Sequence, residues 1–238
     1  MNTVEEIKSA IEFLSKKEKA EFYPKFFKTG PGDYAEGDQF IGVTVPDQRK
    51  IAQEFWNKIS LKELGELLSS KIHEHRHTAL LILVTKYGKA KFDEERSEIA
   101  DFYLENLEHI NNWDLVDNSC YKILGRHCFE NADYNILKSL SESENMWHKR
   151  IGIVSTMYLI KKGEFDLTKE LALKNLYHSH DLMHKANGWL LREMGKKNEA
   201  ELLQFLDKHY HKMPRTSLRY AIEKLDEDLR QDYLKGRR

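Results

Sequence analysis

Short segments recur along this chain at intervals near 37 residues, and no other feature constrains its fold as much. Ile72-His-Glu-His-Arg76-His-Thr-Ala79 matches Met146-Trp-His-Lys-Arg150-Ile-Gly-Ile153 at an offset of 74, pairing Arg76 with Arg150. Met146-Trp147-His148-Lys149 matches Leu182-Met183-His184-Lys185 at an offset of 36, and the same register pairs Gly152 with Gly188. Trp113 falls 37 residues before Arg150 and joins the series. A unit of this length suits a pair of helices. One pair leaves an apolar face uncovered, so consecutive pairs stack and share a continuous core. The pattern predicts an all-α chain: a HEAT-like helical repeat solenoid, an α-α superhelix with a concave face.

Local patterning agrees. Ile7, Ile11 and Leu14 form an apolar stripe, as do Leu61, Leu64, Leu67 and Leu68; Leu171, Leu173 and Leu176, then Leu202, Leu203 and Leu206, continue the style. The four prolines are Pro24, Pro31, Pro46 and Pro214. No alternating run reads as a strand. From Asp47 onward the chain reads as helices of about 10–18 residues joined by short polar turns such as Lys162-Gly163-Glu164. Thr29 to Thr44, with Gly30, Pro31, Gly32, Gly37 and Gly42, is the one longer irregular stretch. We therefore expect one domain over 1–238: an N-terminal helical pair and glycine-rich loop over 1–44, then stacked helix pairs over 45–238.

The longest apolar run, Ala79 to Val84, is far short of a membrane span, and Met1 to Glu6 lacks the basic-then-apolar order of a secretory signal. Cys120 and Cys128, eight apart in one expected helix, are separated by about 12 Å of rise, too far for a disulfide. A cytoplasmic protein with reduced thiols is the expectation. The net charge of −1 hides an imbalance. Residues 1–119 carry 16 Lys/Arg against 22 Asp/Glu, residues 120–238 carry 22 against 17, and 145–219 carry 14 against 8. A basic half fits a polyanionic partner; an unevenly charged solvated surface reads the same way.

Trp113 and Asp117 stand four residues apart, on one face of a helix that Asn111 or Asn112 can cap. An indole face beside a carboxylate suits a developing sugar cation. Taken alone, the pair also reads as a packed Trp with a solvated Asp. Arg150, preceded by Trp147, His148 and Lys149, occupies a matching repeat position. Trp189 lies in a later repeat helix between Lys185 and Arg192, and Arg215 and Arg219 extend the basic track. Equivalent positions of successive repeats line one face. Two indoles, a carboxylate and a guanidinium there suit a backbone-bound nucleic acid with a reactive sugar.

His73-Glu74-His75-Arg76-His77 satisfies the H-E-x-x-H pattern of zinc proteases. No third ligand follows from the spacing, and the repeat register accounts for the segment as a helix start. His178, His180 and His184 read as solvated or phosphate-facing. No metal is expected.

Trp113-Asp-Leu-Val-Asp117, Trp147-His-Lys-Arg150, Gly188-Trp-Leu-Leu-Arg-Glu193 and Met213-Pro-Arg-Thr-Ser-Leu-Arg-Tyr-Ala-Ile222, with the early Val45-Pro-Asp-Gln-Arg49, resemble motifs of the AlkD-type alkylpurine DNA glycosylases in order and spacing across nearly the whole chain. The resemblance implies a HEAT-like superhelix whose basic concave face binds duplex DNA containing alkylated bases. It implies a monofunctional glycosylase that hydrolyses the N-glycosidic bond of cationic purines such as 3-methyladenine and 7-methylguanine, acting as a monomer with no metal or organic cofactor. Asp117 then matches the catalytic carboxylate, and Trp113 and Trp189 the indoles beside the lesion. Arg150, Lys149, His148, Lys185, Arg192, Arg215, Arg219, Phe26 and Arg49 become the DNA-binding set. It further implies work on the exposed deoxyribose with no base-specific pocket.

This sequence departs from the pattern twice: Phe26 stands where relatives can have tyrosine, and Asn112 where some members have a second Trp. Tyr23 or Tyr34 can supply the missing phenol. The alternative is a non-catalytic HEAT-like module that binds damaged DNA or a protein partner.

Overall fold

The computed structural model describes residues 2–238 and contains helices but no strand among them; Gln39 and Ile72 form one isolated parallel bridge. No described helix is long and apolar enough to cross a membrane. The chain divides into two compact units, Met1–Ile123 and Leu124–Arg238.

The first unit holds α1 (Thr3–Phe13), α2 (Lys17–Phe27), α3 (Val45–Phe55), α4 (Leu61–Leu68), α5 (His73–Lys89), α6 (Asp93–Glu105) and α7 (Trp113–Cys120). Its centre is α5, which packs on α3, α4, α6 and α7. Every residue from His73 to Leu83 is buried, so this helix has no polar face and must satisfy its polar groups internally. Val4, Ile7 and Ile11 bury one face of α1; Leu14 lies just past its end and is half-buried. Ser60 and Glu63 close a reciprocal capping box at the start of α4. No helix forms between Lys28 and Thr44, as the glycines predict.

The second unit holds α8 (Arg126–Glu130), α9 (Asn135–Glu142), α10 (Met146–Ser155), α11 (Met157–Lys162), α12 (Asp166–Lys174), α13 (Asp181–Lys197), α14 (Glu199–His209), α15 (Arg215–Ala221) and α16 (Glu227–Lys235). α13 is its centre, packed on α10, α11, α12, α14 and α15. Gly163, at φ +87°, ends α11 in the expected turn.

Three local expectations need correction. Cys120 and Cys128 do not share one helix: the π-helical turn Tyr121–Gly125 separates α7 from α8, and both thiols are free and buried. Leu173 is exposed, because two residues of helix rotate it roughly 200° from buried Leu171. The α-helices are often shorter than expected, down to the five residues of α8, because packing and caps end them before propensity does.

The repeat is visible as local geometry. Ser70 Oγ lies 3.0 Å from His75 Nδ1 and accepts the Ile72 N–H. Ser143 Oγ lies 3.2 Å from His148 Nδ1 and accepts the Asn145 N–H. These clasps start α5 and α10. Their geometry equates His75 with His148, one residue away from the register that pairs Arg76 with Arg150.

Candidate active site

Helix α7 starts from a buried polar knot. Asn112, fully buried, caps it: its Oδ1 accepts the Trp113 N–H at 2.8 Å and its Nδ2 donates to Asp38 Oδ2 at 3.2 Å. Asp114, in the first turn, is also buried, and its Oδ2 lies 2.8 Å from His73 Nε2. His73 Nδ1 lies 3.1 Å from Asp38 Oδ2. Arg76 donates to Asp38 Oδ1 at 2.6 Å, to Asn111 Oδ1 at 3.3 Å and to the Ser70 carbonyl at 3.0 Å.

Burial alone would lower the His73 pKa, but Asp114 and Asp38 lift it to about 9. Burial would raise the two carboxyls, yet His73, joined by Arg76 at Asp38, takes both below their ordinary range. Two anions and two cations thus neutralise one another inside the unit.

Above the knot lies a stack of rings. Phe40 stacks on His73 with centroids 4.6 Å apart, and Phe27 on Phe40 at 4.9 Å. Trp113 stacks on Phe27 at 5.4 Å and meets Phe26 edge-on at 6.0 Å. Tyr23, Phe26, Phe27, Phe40 and Trp113 wall a mainly apolar pocket of about 290 Å³ that His73, Asp114 and Asn118 also line. Trp113 is half-buried, with part of its indole open to this space. Phe26 is 52% exposed.

Asp117 follows one turn after Trp113 on α7 and is half-buried. Burial first, and the Asp117 charge among further causes, push the Tyr103 and Tyr121 hydroxyls upward, while Arg49 opposes that shift at Tyr121. Arg49, exposed on α3, donates to Asn118 Oδ1 at 3.4 Å. Phe26, Arg49, Trp113 and Asp117 therefore belong to one neighbourhood of the first unit.

The zinc-protease pattern has a structural use. The Glu74 carboxylate accepts the N–H groups of Ile41, Gly42 and Val43 at 3.2, 2.8 and 3.2 Å, tying the glycine-rich loop to α5. His77 Nδ1 lies 2.7 Å from Gln48 Oε1. Among the described residues, no three or more His, Cys, Asp or Glu side chains are grouped to hold a metal ion.

The remaining expected residues lie in the second unit. Arg150 is 4% exposed and donates to the Leu182 carbonyl. His148 and Lys149, beside it on α10, are half-buried, and the Lys149 charge reaches His178. Trp189 is half-buried on α13. Lys185 pairs with Asp181 at 2.9 Å. Arg192 pairs with Glu223 and covers the Tyr220 ring at 6.0 Å. Arg215 and Arg219 are exposed, and Arg215 donates to the Leu234 carbonyl at 3.0 Å.

Sequence reasoning missed Asp38, Phe27, Phe40, His73 and Asp114 as parts of this neighbourhood. His73 was flagged only as a metal ligand, and Asp38 and Phe40 lie in a stretch with no periodicity to mark them.

Fold and site together define an all-α helical-repeat protein with an aromatic pocket at the start of a carboxylate-bearing helix. The family of DNA alkylation repair enzymes matches residues 7–225, and the chain belongs to that family. A solved structure described as a predicted DNA alkylation repair enzyme from Enterococcus faecalis is similar, with a TM-score of 0.68 over 91% of this chain and 99% of that one. At 17% identity this likeness bears on the fold alone. No curated protein matches the chain.

Proposed function

We propose that this protein is a monofunctional DNA glycosylase that releases cationic alkylated purines, 3-methyladenine and 7-methylguanine, from duplex DNA. The observation that carries the reading is the pairing of a partly open indole, Trp113, with the Asp117 carboxylate one turn further along α7.

Alkylation at N3 or N7 makes the purine cationic and a good leaving group, so the C1′–N bond breaks with its electron pair going to the base. The enzyme's task is then to stabilise the oxocarbenium-like sugar and place a water. Asp117 does both: its negative charge favours the sugar cation, and it accepts a proton as water adds to C1′. Trp113 and Trp189 supply π faces that favour the same charge. Arg49, His148, Lys149, Arg150, Lys185, Arg192, Arg215 and Arg219 hold phosphates, and Phe26 packs against the nucleotide. The two units act as one array over 1–238 on a single duplex, as a monomer without cofactor.

The test is release of 7-methylguanine from alkylated duplex DNA by wild type and Asp117→Asn. We expect a loss of 100-fold or more, about 3 kcal/mol of transition-state stabilisation. Equal release by both proteins removes the assignment. DNA binding with no excision by wild type would instead support the non-catalytic module.

A further inference from the structure

We propose that His73 is a positioning residue for the candidate site: held as an imidazolium between Asp38 and Asp114, it fixes the first turn of α7 and so places Trp113 and Asp117. The proposal rests on the reading of those two residues as the working pair.

The argument is geometric. Each ring nitrogen of His73 faces a carboxylate oxygen, Nδ1 at 3.1 Å and Nε2 at 2.8 Å. A neutral imidazole has one N–H, so one contact would set a nitrogen lone pair against an anion; only the imidazolium donates to both. Both carboxylates are ringed by other donors. Asp38 accepts from Arg76 and Asn112, and Asp114 Oδ1 accepts the Leu115 N–H at 2.9 Å. They are therefore acceptors throughout, and the proton belongs to His73. The ring is 2% exposed, so water cannot replace a lost partner there.

The mechanical link is short. Asp114 is the second residue of α7, between Trp113 and the turn that bears Asp117. Phe27 stacks on Trp113 and tilts against His73 at 5.1 Å, giving a second path from imidazole to indole. Losing the proton would free Asp114 and Asp38 together, leaving two buried carboxylates opposed only by Arg76. The other charged and titratable groups around the ring are Glu74 and His77 on α5, Tyr23 on α2 and, through His77, Arg49 on α3. Asp114 and Asp38 outweigh the rest, so the proton is held well into the alkaline range, to about pH 9.

His73 touches none of the reacting atoms in this scheme, so the experiment must read placement. Full-length protein carrying 15N-histidine and 5-fluorotryptophan is titrated from pH 6 to 10.5, with the Trp113 fluorine signal assigned through Trp113→Phe. We expect both His73 ring nitrogens to be protonated at pH 7.5, and the Trp113 signal to shift with the same alkaline midpoint. The shift should disappear in His73→Gln and move to lower pH in Asp114→Asn. Excision by wild type should fall about tenfold per pH unit above that midpoint, in kcat rather than KM, following the imidazolium population.

A neutral His73 tautomer at pH 7.5, or a Trp113 signal blind to the His73 titration, overturns the proposal. The wild-type titration needs no variant, so a variant that fails to fold does not shelter it. Absence of excision in wild type sinks the glycosylase reading while the two spectroscopic measurements still decide this one.

Discussion

His75 and His77 sit within four residues of His73 on the same helix, yet burial holds each down to about pH 4. What separates them from His73 is the partner. His75 faces the Ser70 hydroxyl and His77 faces the Gln48 side chain, and neither group favours a charged ring. An unfolded histidine takes up its proton near 6.5, so the stability these two contribute is complete above that pH and drains as pH falls toward 4. We expect the urea midpoint to drop between pH 6.5 and 4.5, with a smaller drop in His75→Asn; a pH-independent midpoint would refute this. His73 has the opposite sign, and its contribution is lost as pH rises through about 9. Glu74 illustrates the cost of removing one partner only. Glu74→Ala strands the N–H groups of Ile41, Gly42 and Val43, and we expect a loss of about 3 kcal/mol by chemical denaturation.

At the scale of helices, closeness of approach is set by two glycines that share a register in the repeat. A Cβ at Gly152, on α10, would lie 2.8 Å from the Leu137 carbonyl oxygen and 3.0 Å from the Ser141 nitrogen of α9. A Cβ at Gly188, on α13, would strike the Ser217 carbonyl oxygen and the Tyr220 Cβ of α15. These atoms are backbone or close to it and cannot swing aside. Gly188→Ala should therefore cost about 1–3 kcal/mol, despite alanine's better helix propensity, and displace neighbouring Trp189. Calorimetry reads the first effect, and the emission of Trp189, isolated by replacing the other three indoles with phenylalanine, reads the second. A gain in stability would show that α13 and α15 can separate at no cost. The glycine match was legible in the sequence; the element each glycine meets was not, because the contacts run to α9 in one case and to α15 in the other.

For the whole molecule, the uneven charge makes a measurable demand. If 120–238, with 22 basic against 17 acidic residues, carries phosphate contacts, log affinity for duplex DNA should fall linearly with log salt. Lys149→Ala and Lys185→Ala should each flatten the slope by about one unit. A slope near zero would favour a protein partner. The sequence by itself determined the all-α repeat class and family, because helical periodicity, motif order and spacing are properties of neighbours along the chain. It also marked Trp113 and Asp117, since a four-residue spacing places two side chains on one helical face whatever the surroundings. It did not reveal that His73 and Glu74, which read as a metal motif, bind the glycine-rich loop to the core. Nor did it show that Phe27 and Phe40 wall the pocket beside Trp113, or that Arg150 is buried. Only the tertiary structure decided these points. Asp38 and Asp114 lie 35 and 41 residues from His73 along the chain, and burial together with the charge of such distant partners sets which groups are ionised and which are held in place.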